Sequence, residues 1–452
     1  MRALLSRSPY DREILRLAVP ALGALAAEPL YILVDTAIVG HLGVAPLAAL
    51  AIAGTLLTGA FTLFNFLTYG TTAQVARFHG AGDERTAAAL GVQALWLASA
   101  IGVVLLAAAV LLARPAVNLM GATGHTADLA VLYMRIAAIG LPFALIALAG
   151  QGYLRGMSDL RTPLRIVIAA NLVNVVLEVV FVYGFGWGVA GSAWGTAIAQ
   201  AGMGIAFARL LWARPWRPNL DRIRPLMRIG GEIFVRTAAL YASFVVASAV
   251  LARIGTASLA AHQIAFQLWT FLALILDAVA IAGQVIVGRM LGAGDAESAY
   301  RASLRMIGWS VLFGTALGAV MLALISVLPH AFTGDSAVLD RAQAVWPLFA
   351  LMQPLAGFVF ALDGILIGAG DTRYLMWSML VAGVGVYVPI ALAALHFDWG
   401  IVGVWCGLIA LLVARGLALG WRFLSRRWAV TGAPGAPRPR PGDGTRAGEA
   451  AR

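Results

Sequence analysis

The chain has 452 residues, of which 61% are apolar and only 12% are charged, and its formal net charge is +11. Soluble globular domains contain about 25% charged residues, so this composition excludes a soluble protein and indicates an integral membrane protein. Because each spanning helix needs about 20 apolar residues, the length allows about twelve spans and leaves no room for a separate soluble domain.

Apolar segments of spanning length follow one another along the whole chain. Arg2 and Arg7 precede the first of them in a pattern that loosely resembles a cleavable signal, but the apolar segment is too long for a signal peptide. We therefore interpret it as an uncleaved first span. The twelve predicted spans are 13–40, 47–76, 87–113, 126–149, 162–184, 189–212, 226–252, 259–288, 302–328, 337–361, 374–397 and 401–424.

The basic residues are distributed unevenly between the two sides of the membrane. All 32 are arginines. Counting those at the end of a span with the adjoining side, 26 fall on the side of the N-terminus, three on the opposite side (Arg114, Arg253 and Arg341) and three deep within spans (Arg135, Arg236 and Arg415). Because Lys and Arg concentrate in cytoplasmic loops, this pattern predicts a multi-pass protein of the cell membrane with both termini in the cytoplasm. The positive net charge therefore reflects the arginines of the cytoplasmic loops, and we expect no nucleic-acid partner.

An internal repeat runs through the chain with a constant offset of 212 residues. The turn GAGD at 80–83 returns at 292–295, and Pro142 matches Pro354. We interpret each GAGD as a structural turn, in which glycine ends one helix and aspartate caps the next. The repeat predicts two parallel six-helix bundles related by a pseudo-two-fold axis along the membrane normal, which is a transporter architecture.

The predicted fold class is therefore an all-α integral membrane protein with two lobes. Prolines and arginines interrupt the apolar pattern between the halves, and the C-terminal residues are rich in Pro, Gly and Arg, a composition typical of disorder. The predicted organisation is an N-terminal lobe at 1–212, a cytoplasmic linker at 213–225, a C-terminal lobe at 226–424 and a disordered cytoplasmic tail at 425–452.

The first span contains two carboxylates in an otherwise apolar stretch. Glu28 and Asp35 are seven residues apart, which places both on one face of a helix, with Tyr31 beside them. A charge near the centre of a bilayer costs about 3 kcal/mol, so such groups usually face a cavity or a partner and mark an ion pathway. The alternative is a structural acid bonded to a neighbouring hydroxyl.

The fifth span carries a second polar stripe. Asn171, Asn174 and Glu178 follow at spacings of three and four residues and share one helical face. The counterparts of these acids and amides in the second half of the repeat are apolar. This asymmetry predicts that ion chemistry lies in the N-terminal lobe, between spans one and five.

The C-terminal lobe has buried charges of its own, and their interpretation stays open between a site and structural pairs. These secondary candidates are Glu232, Arg236, Asp277 and Asp363. The six histidines are scattered singly, the only cysteine is Cys406, and no hydrolase or phosphate-binding motif occurs. We therefore expect neither an enzyme nor a metal site, and no cofactor beyond a coupling ion.

Three stretches together resemble the multidrug and toxic compound extrusion (MATE) transporters. They are DTAIVGHLG in span one, the GAGD turns, and NLVNVVLE with GVAGSAWGTAIAQ in spans five and six. VDTAIVGHLG and LDGILIGAGDTR, the latter directly after span ten, place the chain in the DinF-like branch. The resemblance covers residues 10–425. It implies twelve helices in two lobes and the exchange of amphipathic compounds for protons or sodium.

The resemblance also implies a protonation site in the N-terminal lobe. Its residues here are Asp35, Glu178, Asn174, Tyr133 and Thr196. Two positions depart from the pattern of proton-coupled relatives: the span-five acid is Glu instead of Asp, and Glu28 stands where relatives often have an amide. Either departure could change the ion preference.

These observations predict a monomeric secondary antiporter that exports amphipathic, cationic compounds in exchange for protons or sodium. The alternative within the same superfamily is a flippase for lipid-linked precursors, against which the acids at Glu28, Asp35 and Glu178 argue because the pyrophosphate cargo is anionic. A major facilitator transporter would carry its own charged signature between spans two and three, which the chain lacks.

Overall fold

A computed structural model describes residues 8–211 and 217–432, which form helices and no strands. Helices α1–α6 make up the N-lobe and α7–α12 the C-lobe. In chain order the rods are α1 Pro9–Gly40, α2 Val44–Gly80, α3 Glu84–Leu111, α4 Gly124–Gly156, α5 Arg161–Gly184, α6 Gly188–Arg209, α7 Leu220–Ile254, α8 Thr256–Gly292, α9 Ala296–Ala323, α10 Ser336–Leu351 with Gln353–Gly368, α11 Thr372–His396 and α12 Gly400–Leu424.

Nearly all of these helices could span a membrane. Ten are long and apolar enough to cross a membrane, and α10 makes an eleventh if its two segments, bent by 48° to each other, count as one span. The bend lies at the predicted span of 337–361, where Pro354 sits in the first turn of the second segment and cannot donate a backbone hydrogen bond to the preceding helix. Helix α6 is not among these candidates, and its sequence contains several Gly, Ser, Thr and Gln residues.

The GAGD turns connect helices as their residues predict. Gly82 has a φ of +75° and Gly294 a φ of +86°, the left-handed conformation that favours glycine. Asp83 caps α3 by accepting a hydrogen bond from the Thr86 backbone N–H at 2.9 Å, and Asp295 caps α9 in the same way. These bonds hold the pKa of both aspartates below the usual range, so the caps weaken only as the pH falls through the lowered values.

The two lobes meet where α2 and α8 end, beside these turns. A Cβ atom added to Gly80 would lie 1.9 Å from the backbone oxygen of Arg289, and one added to Gly292 would lie 2.1 Å from that of Arg77. The contact is reciprocal, as a two-fold relation between the halves requires. Only glycine permits the two backbones to approach this closely.

The helical boundary of the second lobe differs from the predicted one. Helix α7 begins at Leu220, where the side chain of Asn219 accepts a hydrogen bond from the Asp221 backbone N–H at 2.9 Å. The second half of the predicted linker at 213–225 is therefore helical, because a capping residue starts the helix earlier than the prolines suggested. Residues 213–216 of the linker lie outside the described residues.

The start of the predicted disordered tail is ordered. Trp428 is 1% exposed, and its ring stacks on Phe423 with centroids 5.5 Å apart. The guanidinium of Arg77, at the end of α2, donates to the backbone oxygens of Val430 and Gly432 at 2.5 and 3.1 Å. The tail prediction is wrong for 425–432, because these residues bury a large aromatic side chain before the Pro-rich composition begins. Residues 433–452 lie outside the described residues, as do Arg2 and Arg7.

Sidedness supplies the first testable prediction. Both GAGD turns lie at one end of the molecule, so reporter fusions at Gly82 and Gly294 are expected to give the same sidedness, and the arginine distribution predicts that this side is the cytoplasm. Alkaline phosphatase and green fluorescent protein fusions measure it, with a fusion at Gly121, in the loop after α3, as the control of opposite sidedness. Opposite results at the two turns would contradict the parallel repeat.

Candidate ion-coupling site

The candidate site lies inside the N-lobe, where α1, α5 and α6 meet. Two long-range hydrogen bonds hold α5 against α1 on either side of it: the Tyr183 hydroxyl donates to the Ile38 backbone oxygen at 2.7 Å, and the Asn171 amide donates to the Ala27 backbone oxygen at 3.1 Å. Asn171, predicted as a site residue, is thus bonded to backbone. It positions the helices that carry the acids.

Asp35 is held by a hydroxyl from α6. Its side chain is buried, with 6% of the residue exposed, and Oδ1 accepts a hydrogen bond from the Ser192 hydroxyl at 2.7 Å. Ser192 was not predicted as a site residue. A signal existed, since Ser192 precedes the predicted Thr196 by four residues and so lies on the same helical face.

Glu178 is the most deeply buried acid of the site. The residue has no exposed surface, and its carboxylate lies near Asn174, Asp35 and Thr196 without a hydrogen bond of good geometry to any described residue. Asn174, one turn earlier, is 2% exposed and its amide also lacks a partner in the described chain. Coulombic interaction links Glu178 to Asp35, so the structure brings the two predicted acids together.

Glycine on α6 makes room for this acid. A Cβ atom added to Gly195 would lie 2.9 Å from Cγ of Glu178, closer than two carbon atoms pack in proteins. The neighbouring Gly191 likewise faces the backbone of Phe181 on α5. The Gly-rich face of α6 therefore allows α5 to turn a buried carboxylate toward Asp35.

Two tyrosines and a threonine complete the cluster. The hydroxyls of Tyr31 and Thr196 are 2.8 Å apart. Tyr133 is 4% exposed and interacts with both acids as well as with Thr196. Tyr133 and Thr196, predicted from the family resemblance, thus lie at the acids, and Tyr31 joins them.

Glu28 does not join this cluster. It is exposed on α1 and makes no hydrogen bond or ion pair with the described residues. Seven residues bring two side chains to one helical face, but they also separate them by about 10 Å along the axis. The structure therefore places Glu28 apart from the candidate site, with an accessible carboxylate in a position that protein atoms surround closely.

The C-lobe acids are paired, each in a different way. Asp363 lies between two arginines, with Arg236 donating to Oδ2 at 2.5 Å and Arg415 donating to Oδ1 and Oδ2 at 2.5 and 2.6 Å. Asp277 accepts a hydrogen bond from the Tyr69 hydroxyl of the N-lobe at 3.2 Å. These bonds join separate helices, so Arg236 pairs with Asp363 of α10 and not with Glu232 of its own span.

Glu232 contacts one side chain on another helix and one on its own helix. It accepts a hydrogen bond from the Thr372 hydroxyl on α11 at 2.5 Å, and its second oxygen lies 3.7 Å from Nε of Arg228 on the same helix. Among residues 8–211 and 217–432, no three His, Cys, Asp or Glu side chains are grouped closely enough to hold a metal ion.

The carboxyl pair in the N-lobe has a distinct chemical capacity. Two carboxylates that interact in an apolar environment are not readily ionised at the same time, so the pair retains a proton or binds a cation.

We predict that Glu178→Gln lowers coupled transport by about tenfold or more, whereas Glu178→Asp, which keeps an ionisable group, stays within about threefold of the parent. Substrate-driven proton uptake in vesicles measures both, and full activity of the Gln variant would place coupling elsewhere.

Comparison with known proteins agrees with the repeat and the fold. The MatE family profile matches residues 20–180 and 233–393, one segment in each half of the repeat. Protein DETOXIFICATION 44, chloroplastic, of Arabidopsis thaliana is 31% identical over 436 residues, covering 92% of this chain and 82% of that protein. DNA damage-inducible protein F of Escherichia coli (strain K12) is 29% identical over 440 residues, covering 92% and 93%.

A solved structure shows the same fold. It is the outward-facing conformation of a multidrug resistance MATE family transporter of the MOP superfamily, with a TM-score of 0.83 and 22% identity over 94% of this chain and 98% of that one. The predicted all-helical two-bundle architecture is confirmed by this similarity.

Proposed function

Because the chain belongs to the MATE family of multi-pass membrane transporters, we propose that it is a secondary active antiporter that exports amphipathic, cationic drugs or toxic compounds in exchange for protons. The similarity to a DETOXIFICATION protein supports the efflux role.

One observation carries the proton as coupling ion: Glu178 is fully buried beside Asp35 with neither oxygen bonded in the described residues. An unpaired carboxylate costs least in such a place when it is neutral, because burying a charge without partners costs far more than burying a protonated acid. Asp35, by contrast, has the Ser192 hydroxyl bonded to it. The pair thus suits the storage of one proton between two acids.

Coupling follows if the substrate changes the free energy of this proton. A cation that enters the N-lobe favours ionisation of the pair, and a retained proton disfavours the cation, so each promotes release of the other. By linkage the effect is reciprocal, and it produces exchange when the two lobes alternate between open states.

The residues of this site bear on two alternatives, sodium as the coupling ion and a lipid-linked precursor as the cargo. Sodium would need several oxygen ligands around it, and the carboxyl and hydroxyl groups here could supply them. A flippase for lipid-linked precursors would carry a large anionic head group, which the N-lobe acids would repel.

The test compares two gradients on one preparation. Vesicles containing the purified protein and loaded with ethidium receive either a proton gradient or a sodium gradient of equal size. We expect the proton gradient alone to accelerate dye efflux. If only the sodium gradient accelerates efflux, sodium is the coupling ion. If efflux without any gradient is as fast as efflux with one, the protein is not an antiporter.

The proposal includes the setting of the transporter. We propose that a single chain forms the whole pathway, that it lies in the cell membrane with both termini in the cytoplasm, and that it needs no cofactor beyond the coupling ion. The arginine distribution supports the orientation.

A further inference from the structure

A cavity distinct from the N-lobe acids lies in the C-lobe between α7, α8, α10 and α12, with α2 closing one side. It measures about 260 Å³, and we refer to it as the C-lobe cavity. Its charged lining residues are Arg236, Arg415, Asp277 and Asp363. Two guanidinium groups thus face two carboxylates, so the charges of the lining balance, and the preference of the cavity depends on which polar groups lack a partner.

The two arginines that line the cavity have N–H donors that do not all reach an acceptor. Each donates to Asp363 through Nη2 alone, and the Nε–H groups of both are buried without a partner in the described residues. A guanidinium has five N–H donors in a rigid fork that matches a carboxylate in a bidentate manner. Arg415 is 3% exposed, so its unused donors are costly unless a ligand accepts from them.

One wall of the cavity, which we call the aromatic wall, consists of Phe244, Phe266, Trp269 and Trp405. It also contains hydrogen-bond donors that have no acceptor. The indole N–H groups of Trp269 and Trp405 are also buried without acceptors in the described chain. Phe244 packs edge-on against Trp269 at 5.5 Å and against Phe266 at 4.9 Å, so the wall offers ring faces and edges. Every unpaired buried polar atom of the lining residues is therefore an N–H donor, next to a large apolar surface.

We propose that the C-lobe cavity is a second binding site, which takes an amphipathic organic anion whose carboxylate pairs with Arg415 and Arg236 and whose aromatic body packs on the aromatic wall. Its polarity is opposite to that of the N-lobe acids. Asp363 then acts as an internal counter-ion that the ligand carboxylate displaces from the two guanidinium groups. The inference rests on the proposed transport function, but binding itself needs no gradient.

The test uses two probes with one ring system and opposite charges, 2-naphthoate and 2-naphthylmethylammonium. Isothermal titration calorimetry on the purified full chain is expected to show 2-naphthoate binding about tenfold or more tightly than the ammonium. Arg415→Met should weaken 2-naphthoate by about tenfold or more, since hydrogen bonds to charged groups contribute about that much. Asp363→Asn should tighten it, because the competing carboxylate is removed.

Controls separate charge loss from misfolding. Arg114→Met makes the same substitution at an exposed arginine outside the cavity and should leave binding unchanged. If Arg415→Met does not fold, Arg415→Lys keeps the charge but loses the fork and should still weaken 2-naphthoate relative to the ammonium.

Three results would overturn the proposal: equal or tighter binding of the ammonium by the parent protein, no binding of either probe, or unchanged 2-naphthoate affinity in both the position 415 and position 363 variants. Asp35→Asn distinguishes this inference from the proposed antiport. That variant is expected to lose coupled efflux and to bind 2-naphthoate like the parent.

Discussion

Asp35→Asn is expected to abolish gradient-driven efflux while the protein still folds and inserts into the membrane. Asparagine preserves the shape of the side chain and can still accept the hydrogen bond that the Ser192 hydroxyl donates at 2.7 Å. It cannot ionise, so Glu178 loses the charged neighbour on which the proposed exchange depends. Because the substitution also removes a buried charge, we expect the variant to be at least as stable as the parent.

Two measurements on one preparation check this expectation. Vesicles with the purified variant receive a substrate load and a pH gradient, and thermal unfolding is followed in parallel. Asp128→Asn makes the same change at an exposed acid that pairs with Arg114 at the protein surface, and it should transport like the parent. Exchange of substrate for protons at the parental rate by Asp35→Asn would make Asp35 a structural acid and reject the coupling mechanism.

Gly292→Ala is expected to impair transport by preventing the lobes from closing at the end that carries the GAGD turns. Its new Cβ atom would lie 2.1 Å from the backbone oxygen of Arg77, and a backbone atom cannot rotate away as a side chain does. Overpacking of this kind costs about 1–3 kcal/mol. That cost corresponds to about 5- to 150-fold in the population of the closed state. Gly80→Ala meets Arg289 in the reciprocal contact and should behave alike.

A distance measurement identifies the cause of the impairment. Spin labels at the exposed positions Arg85 and Arg301, on a Cys406→Ser background, report the separation of the two helix ends by double electron-electron resonance. The Gly292→Ala variant should populate longer distances than the parent. Gly202→Ala on α6, where a Cβ meets no atom within 4 Å, is the matched control and should change neither distance nor transport. Unchanged distances and rates in both Gly80 and Gly292 variants would contradict closure through this contact.

The sequence alone determined the architecture, because its signals are local. Apolar length gives the spans, helical spacing places acids on faces, and the constant offset between residues 80–83 and 292–295 relates the halves. The capping role of Asp83 needed only the residues around it. Asp35 and Glu178 could be selected in the same way, because an acid within an apolar segment is recognised without knowing how the helix packs.

Only the tertiary structure decided which side chains meet. Asp35 and Ser192 are 157 positions apart, and Asp363 and Arg415 are 52 apart, so no local pattern joins them. Helical spacing gave Glu28 the same face as Asp35, yet packing on neighbouring helices covers one acid and leaves the other exposed. The reason is that the rotation and depth of each helix follow from close packing between distant segments, such as the glycine contact of Gly195 with Glu178, and not from the period of any one helix.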